Sequence, residues 1–257
     1  MIHDTLNEAI LKNNLKKNAD GLQILVLKSC PSTNTLAREM AINAPKTAAL
    51  IVAEQQTAGR GRLGRQFHSP EGAGVYFSVL FPGKGTLPSA VSLTCAASVA
   101  VMRAIRNTTE IQTEIKWVND LLHNGKKVCG ILTEAVTMGN DTALIVGIGI
   151  NLRPTDFPKE LQNIAGSLNQ TELPRSKLIA EILAQLLPFL NDPDDRSWLE
   201  DYRSHSCVIG KEIFRLENGS SLPCLAESID SNGRLVVRYP NGQQEALHSG
   251  EISIRLK

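Results

Sequence analysis

An α+β fold is predicted for this chain: a mixed β-sheet with flanking helices, followed by a small C-terminal β-barrel. Three observations carry the expectation. Apolar strand-like runs and helical stretches interleave as far as residue 206, without the strict βαβαβ rhythm of a doubly wound sheet. Asn124-Gly125 joins two apolar runs, and both residues tolerate the positive φ of a type I′ hairpin turn. From Cys207 onward, short β-type segments are punctuated by Asn218-Gly219, Asn232-Gly233 and Asn241-Gly242, the pattern of a small barrel. The 257 residues therefore divide into domains 1–206 and 207–257, with enough chain to bury a substantial core.

The elements follow in order. "LQILVLKSC" (22–30) is an apolar run ended by Pro31 and reads as a buried strand. In "STNTLAREMAI", Ser32 or Thr33 is the N-cap of a short helix. "AALIVAEQQ" (48–56) is a second strand, and "GVYFSVLFP" (74–82), rich in aromatic and β-branched residues, is a third. "LPSAVSLTCAASVAVMRAIRN" (87–107) is apolar on most faces and predicts a buried helix. The Asn124-Gly125 hairpin spans 115–136, and "TALIVGIGINL" (142–152) is a strand buried on both faces. A polar, proline-containing connection leads to an amphipathic helix at 176–190, and 192–206 reads as a shorter, charged helix.

Lys+Arg 27 against Asp+Glu 26 leaves a formal charge of +1, so no global basic surface is available for nucleic acid. Five scattered cysteines without a C-x-x-C pair argue against a disulfide framework or a thiolate zinc site and fit a reducing compartment. The N-terminus lacks the apolar core of a signal peptide, and no stretch approaches a membrane span. A cytoplasmic protein without a membrane partner is expected.

"AGRGRLGR" (58–65) sets Arg60, Arg62 and Arg65 between Gly59, Gly61 and Gly64. Glycine lets backbone fold over a ligand, and arginine's planar fork pairs with carboxylate or phosphate oxygens. A solvated basic loop and an RNA-binding segment are the competing readings. The second lacks interleaved aromatics, Phe67 alone following closely.

In "KWVND" (116–120), an unbroken strand would put Lys116 and Asp120 on one face and Trp117 and Asn119 on the other. Charges on one sheet face are also common without function. Lys127 leads into the apolar run "VCGIL", where an unpaired ammonium is costly to desolvate, so it snorkels outward or meets an anion. "GIGIN" (147–151) lacks the third glycine of a dinucleotide fingerprint and predicts backbone approach to a ligand, with Asn151 available for hydrogen bonding. There is no G-x-S-x-G, and His3, His68, His123, His205 and His248 have no metal-ligand spacing, so no protein metal site is expected.

Taken in order, "STN" (32–34), "EQQTAGRGRLGR" (54–65), "KWVNDLL" (116–122), "GKKVCGILTE" (125–134), "GIGIN" and "GEISIR" (250–255) resemble biotin protein ligases over nearly the whole chain. The resemblance implies a catalytic domain related to class II aminoacyl-tRNA synthetases and lipoate ligases, with an SH3-like C-terminal barrel. It implies activation of biotin by ATP, with Mg²⁺, to biotinyl-5′-AMP. Transfer to a lysine of a biotin carboxyl carrier protein follows.

It also implies residue roles. Ser32, Thr33, Asn34, Gln56, Gly59 and Gly130 belong to the biotin end, with Arg60, Gly61 and Arg62 covering biotin and the acyl-phosphate. Lys127 binds the carboxylate and α-phosphate. Arg62, Arg65, Phe67, Lys116, Asn119, Asn151 and Arg255 form the ATP side, and Lys127, Arg62, Lys116 and Asp120 carry catalysis. Val118 stands where the family commonly has proline, and Phe67 where tryptophan is frequent.

Some members carry an N-terminal winged helix-turn-helix. With 31 residues before Ser32, a ligase without DNA binding is expected, as monomer or homodimer. The rival readings are a lipoate-type ligase and a nonenzymatic RNA- or protein-binding module. Six basic and six acidic residues in 207–257 disfavour a nucleic-acid surface there.

Overall fold

The structure, a computed structural model, describes residues 5–44, 46–83, 88–217, 220–248 and 251–254. Leu87, the Asn218-Gly219 turn, Gly250 and Arg255 lie outside the described residues. Strands β1 (Leu22–Leu27), β2 (Ala48–Ala53), β3 (Gly74–Pro82), β4 (Glu114–Lys116), β5 (Asp120–His123), β6 (Lys126–Met138) and β7 (Asp141–Asn151) form one sheet. Their order is β1-β2-β3-β7-β6-β5-β4. β1 and β2 run parallel, the crossover that a parallel pair needs being supplied by helix α2 (Thr33–Asn43); the other pairs are antiparallel.

Strand alternation assigns the two faces. Val146, Ile148 and Ile150 of β7 join the main core with helix α3 (Ala90–Thr109) and helix α4 (Arg175–Asn191). Helix α1 (Glu8–Leu15), which the sequence reading did not anticipate, packs on α4 through Leu11 and Leu15 and is capped by Asn7, whose side chain accepts from Ile10 N at 2.9 Å. On the opposite face Ala37 and Ala41 of α2 pack on Ile51, Leu80, Ala143 and Ile145. The next two positions of β7 on that face are Gly147 and Gly149, where Asn34 from the start of α2 and the Phe67 ring approach the bare strand.

The Asn124-Gly125 turn forms as expected, with φ of 51° and 73°. The strand before it is not continuous. β4 ends at Lys116, residues 117–119 turn, and β5 runs back with Asp120 opposite Lys116. The turn draws Trp117 and Val118 into the core, each 4% exposed, and Tyr202 Oη donates to Val118 O at 3.1 Å. An unbroken strand would have held these two side chains on opposite faces. The charged helix predicted over 192–206 shrinks to α5 (Leu199–Ser204), because Asp195 accepts from Ser197 N and Oγ in a local turn that competes with helix.

Strands β8 (Glu212–Glu217), β9 (Ser220–Ile229), β10 (Leu235–Arg238), β11 (Gln244–Leu247) and β12 (Glu251–Ile254) form an antiparallel sheet in the order β11-β10-β9-β8-β12. This fits the expected small C-terminal β-unit; among the described residues the two end strands do not pair, so no closed barrel is formed by them. The turn before β10 plugs into the first sheet's core. Gly233 has φ 81°, its carbonyl accepts from Trp117 Nε1 at 3.0 Å, and a Cβ there would lie 2.8 Å from Cys95 Sγ. All five cysteines are unpaired and buried. Among the described residues, no helix is long and apolar enough to cross a membrane.

Candidate active site

The cross-strand register builds the floor of a cavity of about 600 Å³ on the α2 face. Tyr76, Gly149, Gly130, Asp120 and Lys116 stand opposite one another in succession across β3, β7, β6, β5 and β4. Directly opposed residues share a face, so the two glycines form a bare strip between Tyr76 and Asp120. A bulge completes the arrangement. Leu122 faces Lys127 but Leu121 faces Cys129, which leaves Val128 as an extra residue in β6. This lets Lys127 and Gly130 meet on the same side despite their odd spacing. Lys127 Nζ then lies 2.6 Å from Asp120 Oδ1. Of the two alternatives open for Lys127, it meets an anion.

The Gly/Arg loop closes one side of the cavity as a miniature hairpin. Phe67 N donates to Gly59 O at 2.9 Å, and Gly61 N donates to Arg65 O at 2.7 Å. Gly59 sits so close to Phe67 O that a side chain there would collide with backbone. The Phe67 ring lies over the glycine strip: a Cβ on Gly149 would be 2.6 Å from its Cε1, and one on Gly130 would be 3.2 Å from its Cε2. Arg62 Nη1 donates to Asn119 Oδ1 at 3.1 Å, tying the loop to the 117–119 turn. Arg60 pairs with Glu134 of β6 through both terminal nitrogens, at 3.0 and 2.9 Å.

The start of α2 supplies the inner end. Ser32 occupies the N-cap by backbone geometry, and its hydroxyl makes no capping bond to the helix. Thr33 N donates to Gln56 Oε1 at 2.9 Å, Gln56 Nε2 donates to Ser69 Oγ at 2.9 Å, and Ser78 Oγ donates to Asn34 Oδ1 at 2.6 Å. Gly147 is needed because Asn34 Oδ1 occupies the place of its missing Cβ. Gly147 and Gly149 of "GIGIN" line the cavity, and the chain's own Asn34 and Phe67 approach them closely.

The expected site residues converge. Ser32, Thr33, Asn34, Gln56, Arg60, Gly61, Arg62 and Arg65 line the cavity, as do Phe67, Lys116, Asn119, Asp120, Lys127, Gly130 and Asn151. Gly59 stands just behind, against Phe67 O, and Arg255 lies outside the described residues. Asn151 points its Nδ2 at Gly166 O, 2.9 Å away. Five lysine and arginine side chains face one carboxylate, Asp120, among the described lining residues, an excess of positive charge suited to a polyanion. Burial pushes the Tyr76 hydroxyl and the Cys129 thiol up, against the opposing charges of Arg175 and Lys127 respectively.

Two features escaped the sequence reading. Residues 152–174, read as a polar connection, fold back over the strand ends: Lys127 N donates to Ile164 O at 2.8 Å and Gly166 N to Lys127 O at 2.9 Å. Phe157, Leu161 and Ile164 thereby reach the cavity, and their apolar character within a polar stretch was the available signal. Glu134, the last residue of "GKKVCGILTE", had no role assigned.

Comparison with known proteins is consistent with this geometry. The profile of the biotin/lipoate A/B protein ligase family matches residues 26–151, and that of the biotin protein ligase C-terminal domain matches 213–255. The chain is 41% identical over 184 residues to the bifunctional ligase/repressor BirA of Bacillus subtilis, covering 69% of this chain and 57% of that protein. It is 30% identical over 235 residues to the biotin--[acetyl-CoA-carboxylase] ligase of Paracoccus denitrificans, covering 85% of this chain and 95% of that one. Among solved structures, the Aquifex aeolicus biotin protein ligase in complex with biotin and ATP superposes with TM-score 0.76 at 29% identity, covering 91% and 99% of the two chains. The Leishmania major biotin protein ligase in complex with biotinyl-5-AMP gives 0.61 at 27% identity, covering 88% and 98%.

Proposed function

Because the chain belongs to the biotin protein ligase family, we propose that it is an ATP-dependent ligase that forms biotinyl-5′-AMP and transfers the biotinyl group to one lysine of a biotin carboxyl carrier protein. The observation that carries this reading is the convergence of five cationic side chains, one carboxylate and a glycine-hinged loop on a single cavity. In it, residues 1–206 act as the biotin and ATP domain and 207–257 as the C-terminal domain.

Two anions must first be brought together. A carboxylate oxygen of biotin attacks the α-phosphorus of ATP, the bond to the β-phosphate breaks, and pyrophosphate leaves with the electron pair. Lys127, steadied by Asp120, offsets charge where carboxylate and α-phosphate meet. Ser32, Thr33, Asn34 and Gln56 hold the biotin end, while Arg65, Phe67, Lys116, Asn119 and Asn151 serve the nucleotide. Arg255 joins them on the strength of the resemblance. Arg60, Gly61 and Arg62 lie across the mixed anhydride and exclude water. In the second half-reaction the carrier's lysine nitrogen, as the neutral amine, attacks the acyl carbon, AMP leaves with the electron pair, and the nitrogen loses one proton to solvent as the amide forms.

Among the described residues no three His, Cys, Asp or Glu side chains cluster to hold a metal. That donor set fits a Mg²⁺ that would keep phosphate and water oxygens as ligands, with Asp120 the one carboxylate among the described lining residues; the ion would offset triphosphate charge. Biotin-dependent exchange of pyrophosphate into ATP, with lipoate run alongside and Mg²⁺ present, tests the proposal. Exchange with biotin alone supports it, exchange with lipoate alone replaces the substrate, and silence with both in folded protein removes it.

A further inference from the structure

Glu134 sits where β6 passes from the α2 contact to the cavity, and it joins three distant segments. Its Oε2 accepts from Arg60 Nη1 at 3.0 Å and from Asn34 Nδ2 at 2.8 Å, and its Oε1 accepts from Arg60 Nη2 at 2.9 Å. The Glu134 side chain is 16% exposed and that of Arg60 41%, so the acceptor is the buried, fixed half and the loop arginine the movable half. Asn34 is 4% exposed and is independently held by Ser78 Oγ and by Leu132 O. The fold therefore orients Glu134 through Asn34 whether or not the loop is in place. What Glu134 adds is a bidentate socket for Arg60, a geometry that fixes direction as well as charge.

The loop needs such a socket. It is an isolated excursion from the sheet, and Leu63 within it is 72% exposed with φ 54°, a left-handed conformation that a leucine adopts at a cost. Among its contacts with the sheet are Phe67 on the Gly130/Gly149 strip, Arg62 on Asn119, and Arg60 on Glu134. The first two engage residues that line the cavity. The third engages a carboxylate that does not line the cavity.

We propose that Glu134 is a positioning residue that latches the 59–67 loop over the site and, through Asn34, links that latch to the biotin end. Its catalytic consequence, retention of the mixed anhydride, rests on the ligase reading; the latch itself does not.

Trypsin reads the latch directly, because loop opening exposes cleavage after Arg62 and Arg65, the two loop sites that the parent and every variant share. The full-length protein, without biotin or ATP, is compared with Glu134→Gln, Arg60→Gln and the double variant. Each single variant is expected to be cleaved in the loop about fivefold faster, near the upper end for a partly exposed ion pair. The double variant is expected to be no faster than the singles, since both remove one interaction. Parental rates in the singles, or acceleration that multiplies in the double, overturn the proposal. Should Glu134→Gln be cleaved throughout the chain, Arg60→Gln decides alone, and a parental loop rate there overturns it. Released biotinyl-5′-AMP is expected to rise about fivefold with Glu134→Gln, as the same opening ratio dictates. Absence of biotin-dependent exchange in the parent would remove the ligase reading and leave the proteolysis result standing.

Discussion

Lys127→Ala separates chemistry from folding more cleanly than any other substitution in the site. The residue's backbone fastens the 152–174 segment, through Lys127 N to Ile164 O and Gly166 N to Lys127 O, and alanine keeps both bonds. Its side chain contributes one ion pair to the fold, with Asp120 at 2.6 Å, and the partners are 29% and 24% exposed. The Asp120 oxygen in this pair is buried and would be left without a partner, so the loss of stability is about 1–3 kcal/mol. The catalytic loss should be larger. An ammonium about 4 Å from an anion at an effective dielectric near 20 contributes about 4 kcal/mol. Part of this is felt equally by bound substrates and raises KM; the remainder acts on charge that builds between carboxylate and phosphorus. Biotin-dependent ATP–pyrophosphate exchange should therefore fall by between about thirtyfold and a thousandfold, with a melting temperature within about 10 °C of the parent. A folded Lys127→Ala protein that exchanges within about threefold of the parental rate would refute the reasoning, because no electrostatic role of the assigned size could be absent at so small a cost.

Three other substitutions address separate links in the argument. Arg62→Ala removes the donor to Asn119 and should loosen the loop enough to release adenylate, seen as biotin on bystander lysines; a clean reaction confined to the carrier would count against the lid. Gly149→Ala puts a methyl 2.6 Å from the Phe67 ring and should cost about 1–3 kcal/mol or displace the ring, weakening ATP affinity; a parental KM for ATP in a fully stable variant would show that the ring does not rest there. Asp230→Asn tests an acid-side dependence. Burial acts to raise the Asp230 carboxyl, but bonds from Arg234 and from Asn232 N, with the Arg234 charge, outweigh it and hold the group below its usual range. A folded-state value depressed in this way stabilises above the unfolded value and is lost as pH falls through the folded one. In urea titrations the parent's advantage over Asp230→Asn should be full well above the ordinary aspartate value of about 3.9 and shrink as pH falls below it; a constant difference would contradict the sign.

Much of this site can be read along the chain, and the part that cannot has a specific cause. Periodicity says which face a residue takes, and residue chemistry says what it can bind, so Arg60, Lys127 and the Asn124-Gly125 turn are visible in one dimension. What sits opposite them depends on register. Taking Gly139-Asn140 as a two-residue turn pairs residues equidistant from it, which places Gly130 across from Gly149 by counting alone. The same counting from Asn124-Gly125 fails: it sets Asp120 against Cys129, whereas the bulge at Val128 sets it against Gly130. Nothing in "KKVCGIL" marks an extra residue there. Yet the bulge puts Lys127 on the same side as Gly130, and hence on the side of Leu132 and Glu134. Without it, Lys127 would face the cavity while Glu134 pointed into the α3–α4 core, where an ionised carboxylate would be prohibitively costly to bury. The local irregularity that sequence patterns miss is therefore what allows one strand to present both the residue assigned to the chemistry and the residue that holds the loop above it.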